Sequence, residues 1–249
     1  MKAIITGASN GIGKDMAELL SSRGYEVVLV ARSEDKLKQL QNSLPTPAEV
    51  VVADLSRPES CFALYERYQN EPIDLLVNNA GYGIFGRFDE TELSDELNML
   101  DLNIKAVHIL TKLFVKKMEE QNHGFILNVA SSAAFFVGPL LSSYYASKAY
   151  VLRLTQAVQA EVDKSNKKVH LSVLCPGPVD TGFNQRAGVQ FGLKGLDSRG
   201  VAEYALQQMF QRKQVIIPGI TMKIAKFGSR FLPDRLITEV AYHFQRKKQ

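Results

Sequence analysis

The stretch KAIITGASNGIG (residues 2–13) decides how this chain folds. A short apolar run leads directly into a turn that contains Gly7, Gly11 and Gly13, and a segment with helical periodicity, KDMAELL, follows. Glycine permits a tight turn and a close approach of the backbone, and the N-terminus of a helix carries partial positive charge. The order of strand, glycine-rich turn and helix therefore predicts an anion-binding loop at the start of a parallel α/β sheet.

Seven apolar runs of strand length recur along the chain, and segments with helical periodicity separate most of them. The runs are AIIT (3–6), VVLV (27–30), VVVA (50–53), DLLVN (74–78), FILNVA (125–130), VHLSVL (169–174) and VIIP (215–218). Apolar strands that alternate with helices are typical of a parallel sheet buried on both faces. We predict an α/β fold: a single Rossmann-like, doubly wound domain with a seven-stranded parallel sheet flanked by helices on both faces.

Length and charge limit the domains and the partners. A chain of 249 residues suits one large core, and we divide it into a Rossmann-like catalytic domain, 1–218, and a basic helical extension of that domain, 219–249. The extension contains seven Lys and Arg against Asp234 and Glu239, or +5, whereas 1–218 carry 23 Lys and Arg against 24 Asp and Glu, or −1. A nearly neutral body predicts no nucleic-acid groove.

Cysteine and histidine positions give no disulfide or metal pattern. Cys61 and Cys175 are far apart without a CxxC pair, and the four histidines are scattered, so we expect no bound metal. The first apolar run begins at residue 3 without a leader before it, and no stretch has the roughly 18 uninterrupted apolar residues of a membrane-spanning helix. We expect a cytoplasmic protein.

The glycine-rich turn suits a dinucleotide, and the second run indicates which one. An acidic residue about 20 positions beyond the loop would suit the ribose hydroxyl of NAD, but this run ends with Arg32 and Ser33. A guanidinium fits a 2′-phosphate, so NADP(H) is preferred over NAD(H), unless Arg32 is a solvated surface charge. Asp54, after the third run, is placed to reach the adenine edge or to cap the next helix.

Three further motifs complete a pattern with the glycine-rich turn. They are NNAG (78–81) after the fourth run, Ser131 thirteen residues before Tyr144, and Lys148 four residues after Tyr144. With these spacings the chain resembles the short-chain dehydrogenase/reductase family from residue 1 to about PGPVDT (176–181). The resemblance implies an oxidoreductase that transfers hydride between a nicotinamide and a carbonyl or secondary alcohol.

The adjacent tyrosines of YYASK (144–148) raise the question of which one does acid–base chemistry. A free tyrosine has a pKa of about 10, and a nearby lysine ammonium is expected to lower that pKa. Residues three and four apart share a helix face, so spacing alone lets Lys148 approach either Tyr144 or Tyr145. The resemblance favours Tyr144 as the acid/base, because the family's tyrosine lies four residues before its lysine. Tyr145 is then a packing residue or a pocket wall.

The resemblance also implies roles for other residues. Ser131 would orient the substrate oxygen, with Ser132 as the competing candidate, and Asn103 would hold a water that links the lysine to solvent. The segment CPGPVDTGF (175–183) would hold the nicotinamide carboxamide. The full set of predicted cofactor contacts is Gly7, Ser9, Asn10, Gly11, Ile12, Gly13, Arg32, Ser33, Asp54, Leu55, Asn79, Ala80, Gly81, Tyr144, Lys148, Pro176, Gly177, Val179 and Thr181.

Three apolar loops are expected to border the substrate: 82–88, 133–141 and 182–195. Their composition favours a small apolar ketone or alcohol, although the same loops could instead serve helix packing and dimer contacts. We expect the segment 182–197 to close over the substrate as a lid. The resemblance implies a homodimer or homotetramer.

The extension carries apolar residues at helical spacing among basic ones. Ile220, Ile224, Phe227 and Phe231 form one stripe, and after Pro233 a second runs from Leu236 or Ile237 through Val240 to Phe244. Such helices lie on an anionic membrane surface or pack on the body or a second subunit. Packing is the preferred interpretation.

Together these patterns predict an NADP(H)-dependent carbonyl reductase or alcohol dehydrogenase. Tyr144 would be the acid/base, assisted by Lys148, Ser131 and Asn103. The alternative is a non-catalytic NADP(H)-sensing or scaffold protein, which would have no need for Tyr144 and Lys148 together.

Overall fold

A seven-stranded parallel sheet forms the centre of the molecule in the computed structural model, which describes residues 1–181 and 195–246. The strand order is β3-β2-β1-β4-β5-β6-β7. The strands are β1 Lys2–Thr6, β2 Glu26–Ala31, β3 Ala48–Val52, β4 Leu75–Asn78, β5 Gly124–Val129, β6 Val169–Leu174 and β7 Val215–Ile216. All seven coincide with the apolar runs, so the predicted doubly wound α/β fold is confirmed.

Helices cover both faces of the sheet. They are α1 Gly11–Ser22, α2 Glu34–Ser43, α3 Pro58–Tyr68, α4 Leu93–Leu100, α5 Val107–Glu120, α6 Ser142–Val162, α7 Ser198–Phe210, α8 Ile220–Gly228 and α9 Asp234–Arg246. One core packs α1, α2 and α7 on the sheet through residues such as Met16, Leu37 and Leu206. The other packs α3, α5 and α6 through residues such as Leu110 and Val162. The central strands are therefore buried from both sides, which explains their uninterrupted apolar runs, whereas the edge strand β3 is only half-buried.

The strand order changes direction between β1 and β4, and this change of direction determines where the cavity forms. β1 pairs with β2 on one side and with β4 on the other, all in parallel. The connections to the two neighbours leave from opposite faces of the sheet, so a crevice opens at the carboxyl ends of β1 and β4, where doubly wound sheets bind ligands. Thr6 ends β1 there, and its hydroxyl accepts hydrogen bonds from the backbone amides of Asn79 and Ala80 just beyond β4.

The extension beyond β7 contains α8, a short 3-10 turn Ser229–Phe231, and α9. Its first apolar stripe does not pack on the body: Ile220, Ile224, Phe227 and Phe231 are 63–73% exposed. Packing against the body is therefore wrong for this stripe, although other residues of the extension do contact the body. Among the described residues, no helix is both long enough and apolar enough to cross a membrane. The side chains of Arg230, Asp234 and Phe244 lie outside the description.

Candidate active site

A cavity of about 450 Å³ opens at the carboxyl edge of the sheet and gathers nearly all of the predicted site residues. Its volume is within the range of cofactor and substrate pockets. The predicted residues that line it are Gly7, Ser9, Asn10, Gly11, Ile12, Arg32, Ser33, Asp54, Leu55, Asn79, Ala80, Gly81, Ser131, Tyr144, Lys148, Pro176, Gly177, Val179 and Thr181. Gly13 and Asn103 do not line the cavity. Gly13 packs against Asn79, and Asn103 bonds to Tyr82, and both of these partners line it.

The glycine-rich loop is held tightly by Asn79. The Asn79 amide Nδ2 donates to the carbonyl oxygens of Thr6 at 3.0 Å and Gly7 at 3.2 Å. A Cβ atom at Gly7, where φ is +67°, would lie 2.8 Å from Asn79 Nδ2, and one at Gly13 would lie 2.4 Å from it. Glycine is therefore required at both positions so that the loop can close against β4.

The same loop begins α1 and faces the cavity. Asn10 caps the helix, and its Oδ1 accepts the Gly11 amide at 2.9 Å. A Cβ at Gly11 would lie 2.8 Å from Thr181 Cγ2, so the loop and the segment after β6 approach each other closely. The first amides of a helix have no intrahelical acceptor and carry partial positive charge. This cradle without side chains fits a pyrophosphate.

The far end of the cavity carries two cations beside one carboxylate. Arg32, Ser33 and Lys36 line it after β2, and Asp54 lines it after β3. Burial alone would raise the pKa of Asp54, but hydrogen bonds from Ser56 and the charge of Arg32 bring that pKa below its usual value. Asp54 is therefore ionised at neutral pH.

The alternative role of Asp54 as a helix cap is wrong. Its Oδ1 accepts bonds from the backbone N at 3.1 Å and from Oγ at 2.8 Å of Ser56, both inside the turn before α3. Arg57 occupies the N-cap position of α3, and its side chain makes no capping hydrogen bond. The carboxylate of Asp54 is instead fixed at the cavity wall.

The end of the cavity opposite Arg32 brings together Tyr144, Ser131 and Lys148. Tyr144 and Lys148 lie on one face of α6, with Lys148 Nζ 5.8 Å from the centre of the Tyr144 ring. Lys148 Nζ donates to the carbonyl oxygen of Val129 at 3.0 Å, so the lysine is anchored to the end of β5. Ser131 follows β5 directly, and its Oγ accepts the Ala133 amide at 3.1 Å.

Burial controls the acidity of this group. It raises the pKa of Tyr144 to about 12, although a hydrogen bond with Ser131 acts in the opposite direction. Burial also lowers the pKa of Lys148 to about 8, because the ammonium is withdrawn from water. The expected lowering of the tyrosine pKa by the lysine is therefore not found, because desolvation is the larger effect on Tyr144.

Asn103 lies behind the lysine in a π-helical stretch, Asp101–Ala106, that joins α4 to α5. It is fully buried, and its Nδ2 donates to the carbonyl oxygen of Tyr82 at 2.9 Å and to Ser147 Oγ at 3.1 Å. Its Oδ1 accepts the Tyr82 amide at 3.1 Å. A Cβ at Gly81 would lie 2.8 Å from Asn103 Oδ1 and 3.2 Å from Lys148 Nζ, so these groups form one packed unit. π-helical turns often occur at functional sites.

Tyr145 points away from this group. Its ring covers Gly138, where a Cβ would come within 2.2 Å of the ring. Its hydroxyl accepts a hydrogen bond of 2.6 Å from Gln245 Nε2 in α9. The two tyrosine rings meet edge to face with centroids 6.2 Å apart. In the folded chain Tyr144 faces Ser131 and Lys148, whereas Tyr145 forms a wall of the cavity.

The segment after β6 completes the cavity. Val179 pairs in parallel with Leu196: the Leu196 amide donates to Pro178 at 2.8 Å, and the Asp180 amide donates to Leu196 at 3.0 Å. In such a pair the N–H and C=O of Val179 itself point to the opposite side. This geometry fits the predicted recognition of a carboxamide by the Val179 backbone.

The substrate end is apolar. Tyr82, Ala133, Leu141 and Tyr144 belong to one buried cluster, against which Ile84, Phe85 and Tyr145 pack. The loops 82–91 and 133–141 are joined there by a 2.9 Å hydrogen bond from the Gly86 amide to the carbonyl oxygen of Leu140. The predicted lid falls mostly on residues 182–194, which lie outside the described residues.

The sequence analysis missed Lys36, which lines the cavity, and Gln245, which contacts the cavity residue Tyr145. Lys36 was detectable, since it lies four residues after Arg32 in the first turn of α2. Gln245 gave no signal, because its contact with Tyr145 spans 100 positions. Elsewhere in 1–181 and 195–246, no three His, Cys, Asp or Glu side chains cluster as a metal site would require.

Comparison with known proteins agrees with this geometry. The family model of short chain dehydrogenases matches residues 1–190. An uncharacterized oxidoreductase of Staphylococcus saprophyticus is 32% identical over 228 residues, which cover 89% of this chain and 96% of that protein. The chain belongs to the short-chain dehydrogenase/reductase family and is an oxidoreductase of that type.

Solved structures with the same fold contain nicotinamide cofactors. A short-chain dehydrogenase from Sphingobium yanoikuyae in complex with NADPH is 29% identical, with a TM-score of 0.83 over 92% of this chain and 93% of that chain. A short-chain dehydrogenase/reductase from Burkholderia phymatum in complex with NAD is 26% identical, with a TM-score of 0.84 over 90% and 91% of the two chains. The glycine cradle, the cavity and the Val179 backbone fit such a cofactor.

Proposed function

We propose that this chain is an NADP(H)-dependent carbonyl reductase, or an alcohol dehydrogenase in the reverse direction, for a small apolar substrate. The observation that carries the proposal is that one cavity is lined by Arg32 and Lys36 at one end and by Ser131, Tyr144 and Lys148 at the other. The first pair suits a phosphate, and the second group suits proton transfer to a substrate oxygen.

The cofactor preference rests on the charges after β2. Arg32 and Lys36 offer two cations where an NAD enzyme would usually present a carboxylate to the ribose. A 2′-phosphate gains charge-assisted hydrogen bonds from a guanidinium, and a ribose hydroxyl gains much less. When bound, the nicotinamide would supply or accept the hydride.

The proton is handled by Tyr144. In the direction of reduction, its hydroxyl donates the proton to the carbonyl oxygen while the carbonyl carbon receives the hydride, and the substrate leaves as an alcohol. Burial keeps the pKa of Tyr144 at about 12, so the phenol is protonated and ready to donate at neutral pH. Ser131, hydrogen-bonded to Tyr144, would hold the substrate oxygen beside the phenol.

Lys148 and Asn103 support that step. The ammonium of Lys148, 5.8 Å from the Tyr144 ring centre, would stabilise the phenolate that remains after donation. Asn103 fixes the backbone beside Lys148 through its bonds to Tyr82 and Ser147. We propose that a water held there returns the proton from solvent.

The apolar cluster around Tyr144 favours a hydrophobic ketone or alcohol. Tyr82, Leu141 and Tyr145 line the cavity and present little charge to a substrate. The proposal includes a cytoplasmic location, which agrees with two buried free thiols, Cys61 and Cys175. It also includes assembly as a homodimer or homotetramer, with residues 219–249 as an extension of the single domain.

The proposal is tested by titrating the purified chain with NADPH and NADH and by following NADPH oxidation with a panel of apolar ketones. Arg32→Ala and Lys36→Ala should each weaken NADPH binding by roughly tenfold while changing NADH binding little. Lys38→Ala is the matched control, because Lys38 lies in the same helix as Lys36 but does not line the cavity and pairs with Glu34. Equal losses for both cofactors would contradict the NADP(H) assignment, and tight NADPH binding without turnover would support the sensor alternative.

A further inference from the structure

The extension has two unlike faces. Its inner face lies on the site: Met222 Cγ would be 3.1 Å from a Cβ at Gly177, Lys226 Nζ lies 4.5 Å from the centre of the Phe135 ring, and Gln245 holds Tyr145. The outer face, which we define as Ile220, Ile224, Phe227 and Phe231, is turned to solvent. The extension is therefore a wall of the site on one side and an uncovered surface on the other.

The outer face is both apolar and continuous. Its four side chains follow one another at spacings of four, three and four residues, so they form a single stripe. The rings of Phe227 and Phe231 touch edge to face, with centroids 5.3 Å apart. Each of the four residues is at least 63% exposed. A grouped apolar surface of this kind marks an interaction site, unlike scattered single residues.

Charge indicates what covers this face. Residues 219–249 carry +5, whereas the remainder of the chain carries −1. Lys223 borders the stripe and is exposed, and the Arg235 side chain is 91% exposed. A second copy docked through the same patch would bring two basic extensions together, because a two-fold contact pairs each surface with itself. An anionic lipid surface instead supplies apolar chains for the stripe and negative headgroups for the cations.

We propose that the outer face docks on an anionic phospholipid bilayer, with α8 lying in the plane of the interface. Docking would hold the wall formed by Gly177, Phe135 and Tyr145 close to the bilayer. If the proposed function is correct, the apolar substrate reaches the cavity from the lipid phase. The docking itself does not depend on that function, since it concerns the opposite face of the extension.

The test is co-sedimentation of the full chain with vesicles of phosphatidylcholine alone and of phosphatidylcholine with about 30% phosphatidylserine. The wild type should sediment with the anionic vesicles and much less with the neutral ones. The double substitution Ile224→Ser/Phe227→Ser should lower the bound fraction by roughly tenfold. Phe62→Ser is the matched control, because Phe62 is an exposed phenylalanine of α3, outside the extension, and should leave vesicle binding unchanged.

A second pair of substitutions tests the charge without altering the apolar stripe. Lys223→Gln/Arg235→Gln should weaken binding to the anionic vesicles and leave the small binding to neutral vesicles as it was. NADPH binding by every variant shows that the body is folded. Failure of the wild type to sediment with anionic vesicles would overturn the proposal. So would a double serine variant that dissociates an oligomer, seen by light scattering, while vesicle binding is unchanged.

Discussion

Gln245, in the last helix, donates a hydrogen bond of 2.6 Å to the hydroxyl of Tyr145, one hundred positions earlier. Gln245 is buried, and its Oε1 has no partner among the residues described in the structure. Tyr145 lines the cavity beside Tyr144. The bond therefore makes the extension part of the wall of the site, and it links the orientation of Tyr145 to the position of α9.

We expect Gln245→Ala to make the Tyr145 side chain more mobile without affecting the residues proposed for proton transfer. The Tyr145 hydroxyl would lose its donor, and the ring would gain freedom at the substrate end. KM for a bulky apolar ketone should rise several-fold while kcat changes little, since Tyr144, Ser131 and Lys148 remain in place. Steady-state kinetics measure this, with Gln207→Ala in α7 as the control for an exposed glutamine. An equal loss of kcat and kcat/KM would contradict the assignment.

Gly138→Ala tests the same wall from the opposite side. The added Cβ would lie 2.2 Å from the Tyr145 ring, so the ring must move. We expect a change in KM for bulky ketones that small ketones do not share, because a displaced ring alters the shape of the cavity and leaves the proton donor untouched. Unchanged KM values across a series of increasing ketone size would exclude Tyr145 from the substrate wall.

Tyr144→Phe and Tyr145→Phe separate the two tyrosines. Loss of the Tyr144 hydroxyl removes the proposed general acid, which is worth about 10²–10⁴ in rate, and should reduce kcat by that order. Tyr145→Phe should keep kcat within a few-fold, because its hydroxyl bonds to Gln245 and not to Ser131. The measurement is single-turnover reduction of a ketone with NADPH. If Tyr145→Phe is the inactive variant, the assignment of Tyr144 is wrong.

The pH dependence of reduction should follow Lys148. Burial lowers the pKa of Lys148 to about 8, so its ammonium is charged below that pH and neutral above it. Tyr144 stays protonated throughout this range, because its pKa is about 12. The reduction rate constant should therefore fall as pH rises through about 8, when the charge that stabilises the phenolate is lost.

Pre-steady-state rates between about pH 6 and pH 10 measure this effect. Tyr145→Phe is the control and should reproduce the profile of the wild type, since Tyr145 does not face the lysine. A rate constant that stays level up to about pH 10 would show that the ammonium of Lys148 has no part in the step.

Gly13→Ala should weaken cofactor binding although Gly13 does not line the cavity. The new Cβ would lie 2.4 Å from both Asn79 Nδ2 and the carbonyl oxygen of Gly7, which forces the loop apart. Overpacking of this kind costs about 1–3 kcal/mol. We expect the Kd for NADPH to rise by roughly tenfold or more, measured by fluorescence titration. Gly228→Ala is the control, because no atom of the described residues lies within 4 Å of a Cβ there, and its Kd should equal that of the wild type.

Local sequence determined the fold and the identity of most site residues. The strands were readable because each is an apolar run buried on both faces, and the cofactor loop was readable because strand, glycine turn and helix lie within residues 2–13. Arg32 was readable because it directly follows β2. These features depend on residues that are close in the chain, so the local sequence is sufficient to predict them.

Tertiary structure alone decided the features that depend on distant contacts. Spacing in YYASK allowed Lys148 to approach either tyrosine, and the folded chain places Tyr144 beside Ser131 and Tyr145 beside Gln245. Tyr144 is deeply buried, which residue spacing does not predict. Desolvation therefore raises the pKa of Tyr144, and this effect is larger than the lowering expected from the charge of Lys148. Helical periodicity predicted the stripe at Ile220 and Ile224, but only the body's shape left it exposed. Burial and long-range hydrogen bonds arise between elements that are far apart in the chain, so the local sequence does not predict them.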